Sequence, residues 1–455
     1  MSKKPSKKPK KKQNQKQSKK QAKKLNKKLI IAIALCVVVV LVAICLILFS
    51  WKKIVINDKD GNTIATAGEL NIKKVRLKNS DYLSYVDVVI DEAKEILGED
   101  YEPSGKMIIN TNFDNDAFEA CSTAYQSTEF AEDIPFAMSV VDINGAVICS
   151  YSKGPKEDKE FVNYATEKGQ AYSSFKPLSV YAPAIDNGTI TCSTEYLDAP
   201  IKQVEDASGE LVGWPSNGTG TYRETEVTIA DGIKKSLNTT AVRALKDYGI
   251  SNSLDFLSEN FGIDLDWERR ALEAEGEDGV LSSIGLGYLH TGVSPLDMSG
   301  FYEIFANEGK YEKPHSIKTI EVEGTKTYDY SEKELSVKQV ISSETAYIMN
   351  RLLQGPLEEG GTAQSASTTD VPLGGKTGTG TDYLGNWMVG FTPEYVISVW
   401  HGSPKNNKNI CAKTFGVFME NMTFDEAKDF PINSNVITDE FMSLDGKKTG
   451  YYLPE

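Results

Sequence analysis

Three short sets of polar residues have the side chains that acyl transfer through a serine requires. The first is Ser173 with Lys176, in GQAYSSFKPLSVY. A serine hydroxyl becomes a strong nucleophile when a base removes its proton, and lysine can be that base when burial or positive charge keeps its amine neutral. Positions i and i+3 share a helix face, so Lys176 can reach Ser173, whereas Ser174 points elsewhere.

The proline after Lys176 indicates where the helix that carries this pair begins. Proline is tolerated in the first turn, where its missing N–H is not needed. Pro177 therefore predicts a helix start at about Ser173 or Ser174, where free N–H groups favour a developing oxyanion. A serine that caps an ordinary helix would give the same local pattern. The pattern recurs at Ser50–Lys53, where the lysine would be solvated and charged.

The second set is a Ser-x-Asn pattern, which also occurs twice. Ser236-Leu-Asn238 lies where two helix-like segments meet, and Ser258-Glu-Asn260 runs on into Phe-Gly among acidic neighbours. Serine and asparagine near helix ends are more often caps than catalytic residues. Neither copy points to a function by itself.

The third set is Lys376-Thr377-Gly378, within LGGKTGTGT. Its glycines would let a substrate backbone approach a strand closely, and its lysine and threonine can bind a carboxylate. A Gly-rich edge of a surface strand is the alternative. A second copy, Lys448-Thr449-Gly450, lies in a charged segment after which the sequence predicts no strand.

The order of the sets separates them from their duplicates. Ser236 follows Ser173 by 63 residues, and Lys376 follows Asn238 by 138. This is the motif order of serine acyltransferases that react with penicillin. The chain resembles the transpeptidase domain of penicillin-binding proteins, most closely the class A type, over about residues 134 to 420. Segments that carry the resemblance include AMSVVDINGAVICSY, NYATEKGQAYSSFKPL, KKSLNTTAVRALKDYGI and GGKTGTGTDYLGNWMVGF.

The resemblance implies a catalytic role for four residues. Ser173 would attack the carbonyl between the two terminal D-alanines of a peptidoglycan stem peptide, and Lys176 would take its proton. The acyl group would then pass to an amine of a neighbouring stem peptide. Ser236 would relay the proton to the leaving amine, and Asn238 would hold the substrate amide and the lysine.

The resemblance also implies how the substrate is bound. Lys376, Thr377 and Thr379 would bind the terminal carboxylate, and Gly378 would leave room for it. The backbone N–H groups of Ser173 and Thr379 would form the oxyanion hole. No metal and no cofactor is implied, and the sequence contains neither HExxH nor GxSxG.

Two positions depart from the family pattern. Ala171-Tyr172 stands where Pro-Gly usually precedes the serine, and Gly380 stands where a second threonine is common. We expect Tyr172 to narrow the cleft mouth or slow acylation. Substrate preference is therefore more affected than the chemistry.

The elements that must position these sets can be read from the apolar patterns. Hairpins are predicted over residues 54–67 and 135–154, a helix over 85–97, a strand over 106–112, and mainly helices between about 170 and 310. With the resemblance, they predict an α+β fold of the penicillin-binding/serine transpeptidase type. It would have an antiparallel sheet flanked by helices and an all-helical subdomain, preceded by one transmembrane helix and a small pedestal.

The predicted domains follow from composition and from the extent of the resemblance. They are a disordered basic cytoplasmic arm (1–28), a transmembrane signal-anchor helix (29–51), an extracytoplasmic pedestal (52–133), the transpeptidase domain (134–424) and a polar C-terminal tail (425–455).

The N-terminal segments predict attachment to a bacterial cell membrane. The arm has 14 lysines and no acidic residue, and 21 uncharged residues, Leu29 to Phe49, then suffice to span a bilayer. A cleaved signal peptide is the alternative, but the apolar run is too long and no cleavage site follows. The lysines orient the N-terminus to the cytoplasm, which leaves the catalytic part outside.

The charge and cysteine content limit the possible partners. The whole chain carries −14, so without the 14 arm lysines the remainder carries −28. That field argues against nucleic acid as a partner. Outside the apolar segment, Cys121, Cys149, Cys192 and Cys411 have no spacing that selects a pairing, and we predict no disulfide.

The region before the transpeptidase predicts a further partner. VINDKDGNTIATAGELNIKKVRL resembles the segment that class A enzymes carry just before their glycosyltransferase, and YVDVVIDEAKEIL and GKMIINTNFD resemble the linker just after it. Residues 52–133 are too short to contain a glycosyltransferase. The resemblance therefore implies that a separate protein polymerises the glycan chains.

Two other functions remain open from the sequence. A D,D-carboxypeptidase or β-lactamase-like hydrolase would use water as the acyl acceptor. A non-catalytic scaffold or β-lactam sensor would keep the fold and recruit partners. The class A resemblance and the membrane pedestal argue against the hydrolase. The family resemblance also implies that β-lactams are inhibitors.

Overall fold

A computed structural model of the chain describes residues 11–50, 53–128, 133–156, 160–206, 208–332, 337–367, 371–380, 385–402, 409–425 and 428–454. The helices are α1 (Lys11–Ser50), α2 (Leu83–Leu97), α3 (Asn115–Gln126), α4 (Ala182–Asp186), α5 (Ile229–Lys235), α6 (Asn238–Tyr248), α7 (Ile250–Phe261), α8 (Asp266–Glu275), α9 (Leu281–Leu286), α10 (Pro295–Phe301), α11 (Glu303–Ala306), α12 (Ser343–Gln354) and α13 (Ile410–Asn421). The strands are β1 (Ile54–Asn57), β2 (Thr63–Ala67), β3 (Val75–Leu77), β4 (Met107–Thr111), β5 (Phe136–Asp142), β6 (Val147–Lys153), β7 (Glu195–Leu197), β8 (Lys202–Glu205), β9 (Leu211–Trp214), β10 (Glu226–Thr228), β11 (Lys310–Tyr311), β12 (Ile317–Val322), β13 (Thr325–Asp329), β14 (Lys338–Gln339), β15 (Gly374–Thr379), β16 (Asn386–Phe391), β17 (Tyr395–His401), β18 (Ile437–Ser443) and β19 (Gly446–Tyr452).

The N-terminal helix is longer than the apolar segment. Within the described residues, one stretch, Lys27–Leu46, is long and apolar enough to cross a membrane, with a mean hydropathy of 3.6. The sequence predicts a disordered arm over residues 1–28, but α1 already begins at Lys11. Lysine, glutamine and alanine are good helix formers and no breaker follows Lys11, so the helix continues through the arm. Residues 1–10 lie outside the described residues.

A six-stranded sheet forms the pedestal, in the order β13-β12-β4-β1-β2-β3. The predicted 54–67 hairpin, the 85–97 helix and the 106–112 strand are confirmed as β1–β2, α2 and β4. Alternate residues of β1 and β4 are buried, so one face of the sheet packs into the core. The sequence predicts a contiguous pedestal over 52–133, whereas the sheet also takes β12 and β13 from residues 317–329. The physical reason is that β12 pairs with β4, whose edge would otherwise be open.

The second large sheet has five antiparallel strands in the order β15-β16-β17-β5-β6. Its two faces belong to different cores, because successive side chains of a strand point to opposite sides. Trp387, Val389 and Phe391 of β16 face the helical core, and Met388 between them faces the core that contains α13 and the pedestal. The fold class is therefore as predicted: α+β, with a covered antiparallel sheet beside a mainly helical subdomain.

The C-terminal segment differs from the predicted polar tail over residues 425–455. β18 and β19 pair from Ile437–Tyr452 to Ser443–Gly446. Phe430 is 3% exposed and its ring lies 5.6 Å from that of Phe391. An Asp-Gly pair at the turn and alternating residues favour a hairpin, but the polar composition hides this signal. We call residues 437–452 the C-terminal hairpin.

The four cysteines after α1 are buried as free thiols. The Sγ atoms of Cys121 in α3 and Cys149 in β6 lie 3.6 Å apart. Burial raises the pKa of the Cys121 and Cys411 thiols well above the ordinary value. These thiols are therefore core residues rather than nucleophiles.

Candidate active site

The serine segment distinguishes its two adjacent serines. Ser174 is fully buried and its hydroxyl donates a hydrogen bond of 2.6 Å to the Ala171 carbonyl. Ser173 is partly exposed and lines a cleft of about 740 Å³. Ser173 is thus the serine that a molecule in the cleft can reach.

The helix after Ser173 has a different start from the predicted one. Residues Tyr172–Ser174 form a 3₁₀ turn, Pro177–Tyr181 form a π-helical turn, and α4 follows. Pro177 is the first residue of the π turn, as expected for a residue without an N–H. The Ala182 N–H donates to the Pro177 carbonyl, five residues back. Pro177 and Pro183 lack the N–H groups that would bond to the carbonyls of Ser173 and Ser179, so two bonds of a regular i to i−4 ladder are missing here.

The amine of Lys176 is fully buried and points at the Ser-x-Asn segment. Nζ donates to the carbonyls of Ser236 and Leu237, both at 3.3 Å, and to Asn238 Oδ1 at 2.5 Å. In the described parts of the chain, no hydrogen bond joins Lys176 to Ser173. Desolvation, and then the nearby charge of Lys376, lowers the pKa of Lys176 well below its usual value.

Ser236 lies between α5 and α6 in a left-handed conformation, with a φ of 57°. Ser236 is the C-cap residue that ends α5, and α6 begins two residues later. Its carbonyl turns toward Lys176, and its hydroxyl accepts a hydrogen bond of 2.7 Å from Lys376 Nζ. Ser236 therefore contacts both buried lysines.

Lys376 is held on the edge strand β15. Its side chain is fully buried, and Nζ also donates to the Thr377 carbonyl at 3.0 Å. Burial lowers the pKa of Lys376 to about 7. The Thr377 hydroxyl donates to Thr362 Oγ1 at 2.8 Å. Thr362 is a contact that the sequence analysis missed, although the adjacent glycines of GGT indicated a tight turn.

A glycine at 378 lets β15 lie against the serine segment. A Cβ atom there would be 2.4 Å from the Ala171 carbonyl oxygen and 3.2 Å from Ser174 Oγ. Farther along the strand, the Gly380 N–H donates to the Gly385 carbonyl. In an antiparallel pair, hydrogen-bonded positions alternate, so the N–H of Thr379 faces away from β16 and toward the cleft.

The structure brings all the predicted site residues together. Five line the cleft, and the other three, Lys176, Lys376 and Gly378, are buried behind it. The five are Ser173, Ser236, Asn238, Thr377 and Thr379. Among the residues that the structure describes, no group of three His, Cys, Asp or Glu side chains could hold a metal ion.

The duplicates at 258–260 and 448–450 are not part of the cleft. The Ser258 hydroxyl donates to the Leu254 carbonyl within α7. Lys448 lies in β19, where its Nζ is 2.7 Å from Glu358 Oε2. In the Ser50–Lys53 motif, residues 51 and 52 lie outside the described residues. The order of the motifs therefore selected the copies that meet.

Tyr172 does not line the cleft, so the expectation that it narrows the cleft mouth is wrong, whereas its effect on acylation stays a prediction. Its φ is 51°, it is 6% exposed, and its ring packs against Gly380 and Gly385. A Cβ atom at Gly380 would be 2.5 Å from Tyr172 Cζ. The two departures from the family pattern are thus one feature, because the ring occupies the space that a side chain at 380 needs. Tyr288, which meets Tyr172 edge to face, lines the cleft instead.

Comparisons with known proteins show which family the chain resembles. The family model described as the penicillin binding protein transpeptidase domain matches residues 137–420. The chain is 32% identical over 279 residues to penicillin-binding protein 1A of Clostridium botulinum, covering 60% of this chain and 31% of that protein. It is 30% identical over 345 residues to penicillin-binding protein 1F of Bacillus subtilis, covering 72% of this chain and 44% of that protein. The chain thus spans less than half the length of these relatives.

A solved structure shares the fold. The D,D-transpeptidase domain of a peptidoglycan glycosyltransferase from Eggerthella lenta superposes with a TM-score of 0.63 at 16% identity, covering 81% of this chain and 97% of that one. At this identity the likeness shows the fold alone.

The contact between Tyr172 and Gly380 predicts non-additive substitutions. Gly380→Thr should destabilise the protein by about 1–3 kcal/mol, because the new side chain overlaps the tyrosine ring. Tyr172→Gly should destabilise it by about 3 kcal/mol through loss of the buried ring. The double variant should lose at least about 1 kcal/mol less unfolding free energy than the two single variants lose in sum, because glycine at 172 makes room for threonine at 380. Urea denaturation of the four proteins measures the coupling.

Gly218→Thr is the matched control, since nothing lies within 4 Å of a Cβ there. It should add to Tyr172→Gly without coupling. If the effect of Gly380→Thr simply added to that of Tyr172→Gly, as expected for Gly218→Thr, the proposed overlap would be contradicted.

Proposed function

The chain belongs to the penicillin-binding protein transpeptidase family, and on that premise we propose that it is a membrane-anchored D,D-transpeptidase. It cross-links peptidoglycan stem peptides through a serine acyl-enzyme, and β-lactams inhibit it by acylating the same serine. The observation that carries the proposal is the pair of buried lysine amines, both bonded to Ser236, behind the accessible Ser173.

The first step is acylation of Ser173. Its hydroxyl attacks the carbonyl carbon between the two D-alanines while Lys176 accepts the proton. The lowered pKa of Lys176 supports this role, because a neutral amine has a lone pair for the proton. Three acceptors surround Nζ, so the ammonium that forms finds a hydrogen bond for each of its protons.

The second part of the step is release of D-alanine. The proton must reach the leaving amine, and the Ser236 hydroxyl, which lines the cleft and contacts Lys376, is the proposed relay. Lys376 and the hydroxyls of Thr377 and Thr379 bind the terminal carboxylate. The backbone N–H groups of Ser173 and Thr379 stabilise the oxyanion, and loss of one such donor typically costs roughly 10² to 10³ in rate.

The acceptor step decides the reaction class. In the transpeptidase, an amine of a second stem peptide attacks the acyl-enzyme and forms the cross-link, which regenerates the serine. A cleft of about 740 Å³ is within the usual range of roughly 300–1,000 Å³ for ligand sites. Asn238 can hold a substrate amide there, as well as the lysine that its Oδ1 contacts.

The proposal also covers how the protein is anchored to the membrane and which protein makes the glycan chains. The apolar part of α1 spans a bacterial cell membrane once, with the lysine arm in the cytoplasm and the catalytic region outside. A separate glycosyltransferase supplies the glycan chains. In support, only residues 78–82 lie between β3 and α2, where the resemblance to class A enzymes would place their glycosyltransferase.

Fluorescent penicillin tests the nucleophile. The full-length protein should become covalently labelled, and Ser173→Ala should abolish labelling because no other hydroxyl takes its position. Ser174→Ala is the matched control and should keep labelling, since that hydroxyl bonds to a backbone carbonyl. Denaturing gel electrophoresis measures the label. Unchanged labelling of Ser173→Ala would disprove the assignment, and an unlabelled wild type would favour the non-catalytic scaffold.

The pH dependence of acylation tests the lysines. The second-order rate constant reports groups of the free enzyme. It should fall above about pH 7, because Lys376 then loses the charge that binds the carboxylate of penicillin. It should also fall at low pH, where Lys176 becomes protonated. Stopped-flow acylation between pH 5 and pH 10 measures both limbs.

Lys376→Gln should lose the alkaline limb and retain a low rate. A wild-type rate that rises up to about pH 10 would instead follow an ordinary lysine pKa of 10.5 and contradict the role of Lys176.

Product analysis separates the transpeptidase from a hydrolase. Stem pentapeptides ending in D-Ala-D-Ala, with a free side-chain amine, should yield cross-linked dimers and one D-alanine per bond. Mass spectrometry detects both products. Release of D-alanine without any dimer, under conditions in which the protein binds penicillin, would favour the carboxypeptidase.

A further inference from the structure

The C-terminal hairpin contacts the elements behind the cleft. At its turn, the Leu444 N–H donates to Asp231 Oδ2 in α5 at 3.0 Å. Asp445 Oδ2 lies 2.7 Å from Lys234 Nζ, and Lys448 Nζ lies 2.7 Å from Glu358 Oε2. The partners of these contacts precede the site in the sequence: Asp231 and Lys234 come shortly before Ser236, and Glu358 comes shortly before Thr362.

Lys234 is the centre of this cluster. Its side chain is 6% exposed, and Nζ contacts both Asp445 and, at 3.0 Å, Glu358. Lys234 is the second-last residue of α5, two residues before Ser236. A buried amine needs its carboxylate partners, and loss of one is costly because the charge is then left without compensation. The ion pairs therefore fix the end of α5, and with it the left-handed turn at Ser236.

Glu358 belongs to a tight turn that lies against the end of α5. The Thr362 N–H donates to the Lys234 carbonyl at 3.4 Å, and Lys235 Nζ donates to the Gly360 carbonyl at 2.9 Å. Thr362 in turn accepts from the Thr377 hydroxyl. The turn thus links α5 to the strand that is proposed to bind the carboxylate.

We propose that the C-terminal hairpin positions the active site, with Asp445 and Lys448 acting through Lys234 and Glu358. Asp445 sets the end of α5, so that Ser236 faces both lysines. Lys448 sets the 358–362 turn, so that Thr362 holds Thr377. The duplicate Lys-Thr-Gly at 448–450 then has a structural use, in that its lysine contacts this turn and not the cleft. This inference rests on the proposed acyl-transfer function.

The experiment compares two carboxylates of the same hairpin in the full-length protein. Asp445→Asn removes the carboxylate charge that pairs with Lys234 of α5. Glu440→Gln is the matched control, because Glu440 forms an exposed ion pair with Lys447 inside the hairpin and loses the same charge. Stopped-flow acylation by fluorescent penicillin separates the dissociation constant of the non-covalent complex from the acylation rate constant. Thermal unfolding reports the folded state of each variant.

We expect Asp445→Asn to lower the acylation rate constant about 5- to 10-fold, because small displacements of catalytic groups are costly in rate. The dissociation constant should change less than about twofold, and Asp445→Glu should restore most of the rate. Glu440→Gln should leave both constants within about twofold of wild type. If Asp445→Asn does not fold, Lys448→Gln, which loosens the turn at Glu358, should show the same selective loss.

The outcomes distinguish this inference from the proposed function. A reactive wild type with equal rate constants in Asp445→Asn and Glu440→Gln would overturn the positioning role and leave the proposed function standing. The same conclusion would follow if the rate fell only in proportion to the folded fraction. A wild type that penicillin does not acylate would overturn both.

Discussion

The site depends on the burial of two lysine amines that both bond to one serine. Lys176 and Lys376 are both fully buried, and burying an ammonium is costly unless hydrogen-bond acceptors replace water. Ser236 meets this need for both, because its left-handed backbone sends its carbonyl toward one lysine and its hydroxyl toward the other. The break between α5 and α6 is thus required by the electrostatics of the site.

The surrounding structure holds the three motif segments in contact, although Ser173, Ser236 and Lys376 are far apart in the sequence. The central sheet is covered on both faces, so its edge strand β15 is held rigidly while one side of that strand stays open. Gly378 then allows the strand to lie against the serine segment without a clash. On the serine side, the two prolines prevent a regular helix start. Ser173 therefore stands on a short turn fixed by packing.

The site could be predicted from the sequence where short-range spacing carries the information. The choice of Ser173 over Ser174 followed from the distance of three residues to Lys176, and motif order removed the duplicates. Contacts that depend on long-range packing could not be predicted in this way. The sequence near Thr362 and Asp445 indicates turns but not their contacts with Lys234, which is far away in the chain. The position of the Tyr172 ring was predicted wrongly for the same reason. The space beside Gly380 that the ring fills is formed only when the chain is folded. Asp445-Gly446 favours the turn of the C-terminal hairpin, but the many polar residues of this segment led to the prediction of a tail.

The pedestal sheet has a consequence for the order in which the protein folds. Synthesis proceeds from the N-terminus, so β1 to β4 are made about 200 residues before β12, which covers the edge of β4. Until β12 arrives, that edge can pair with strands of other chains. A chain that stops before residue 317 would thus lack not only its last motif but also a closed pedestal. Nascent chains of this length are where aggregation and chaperone binding should concentrate.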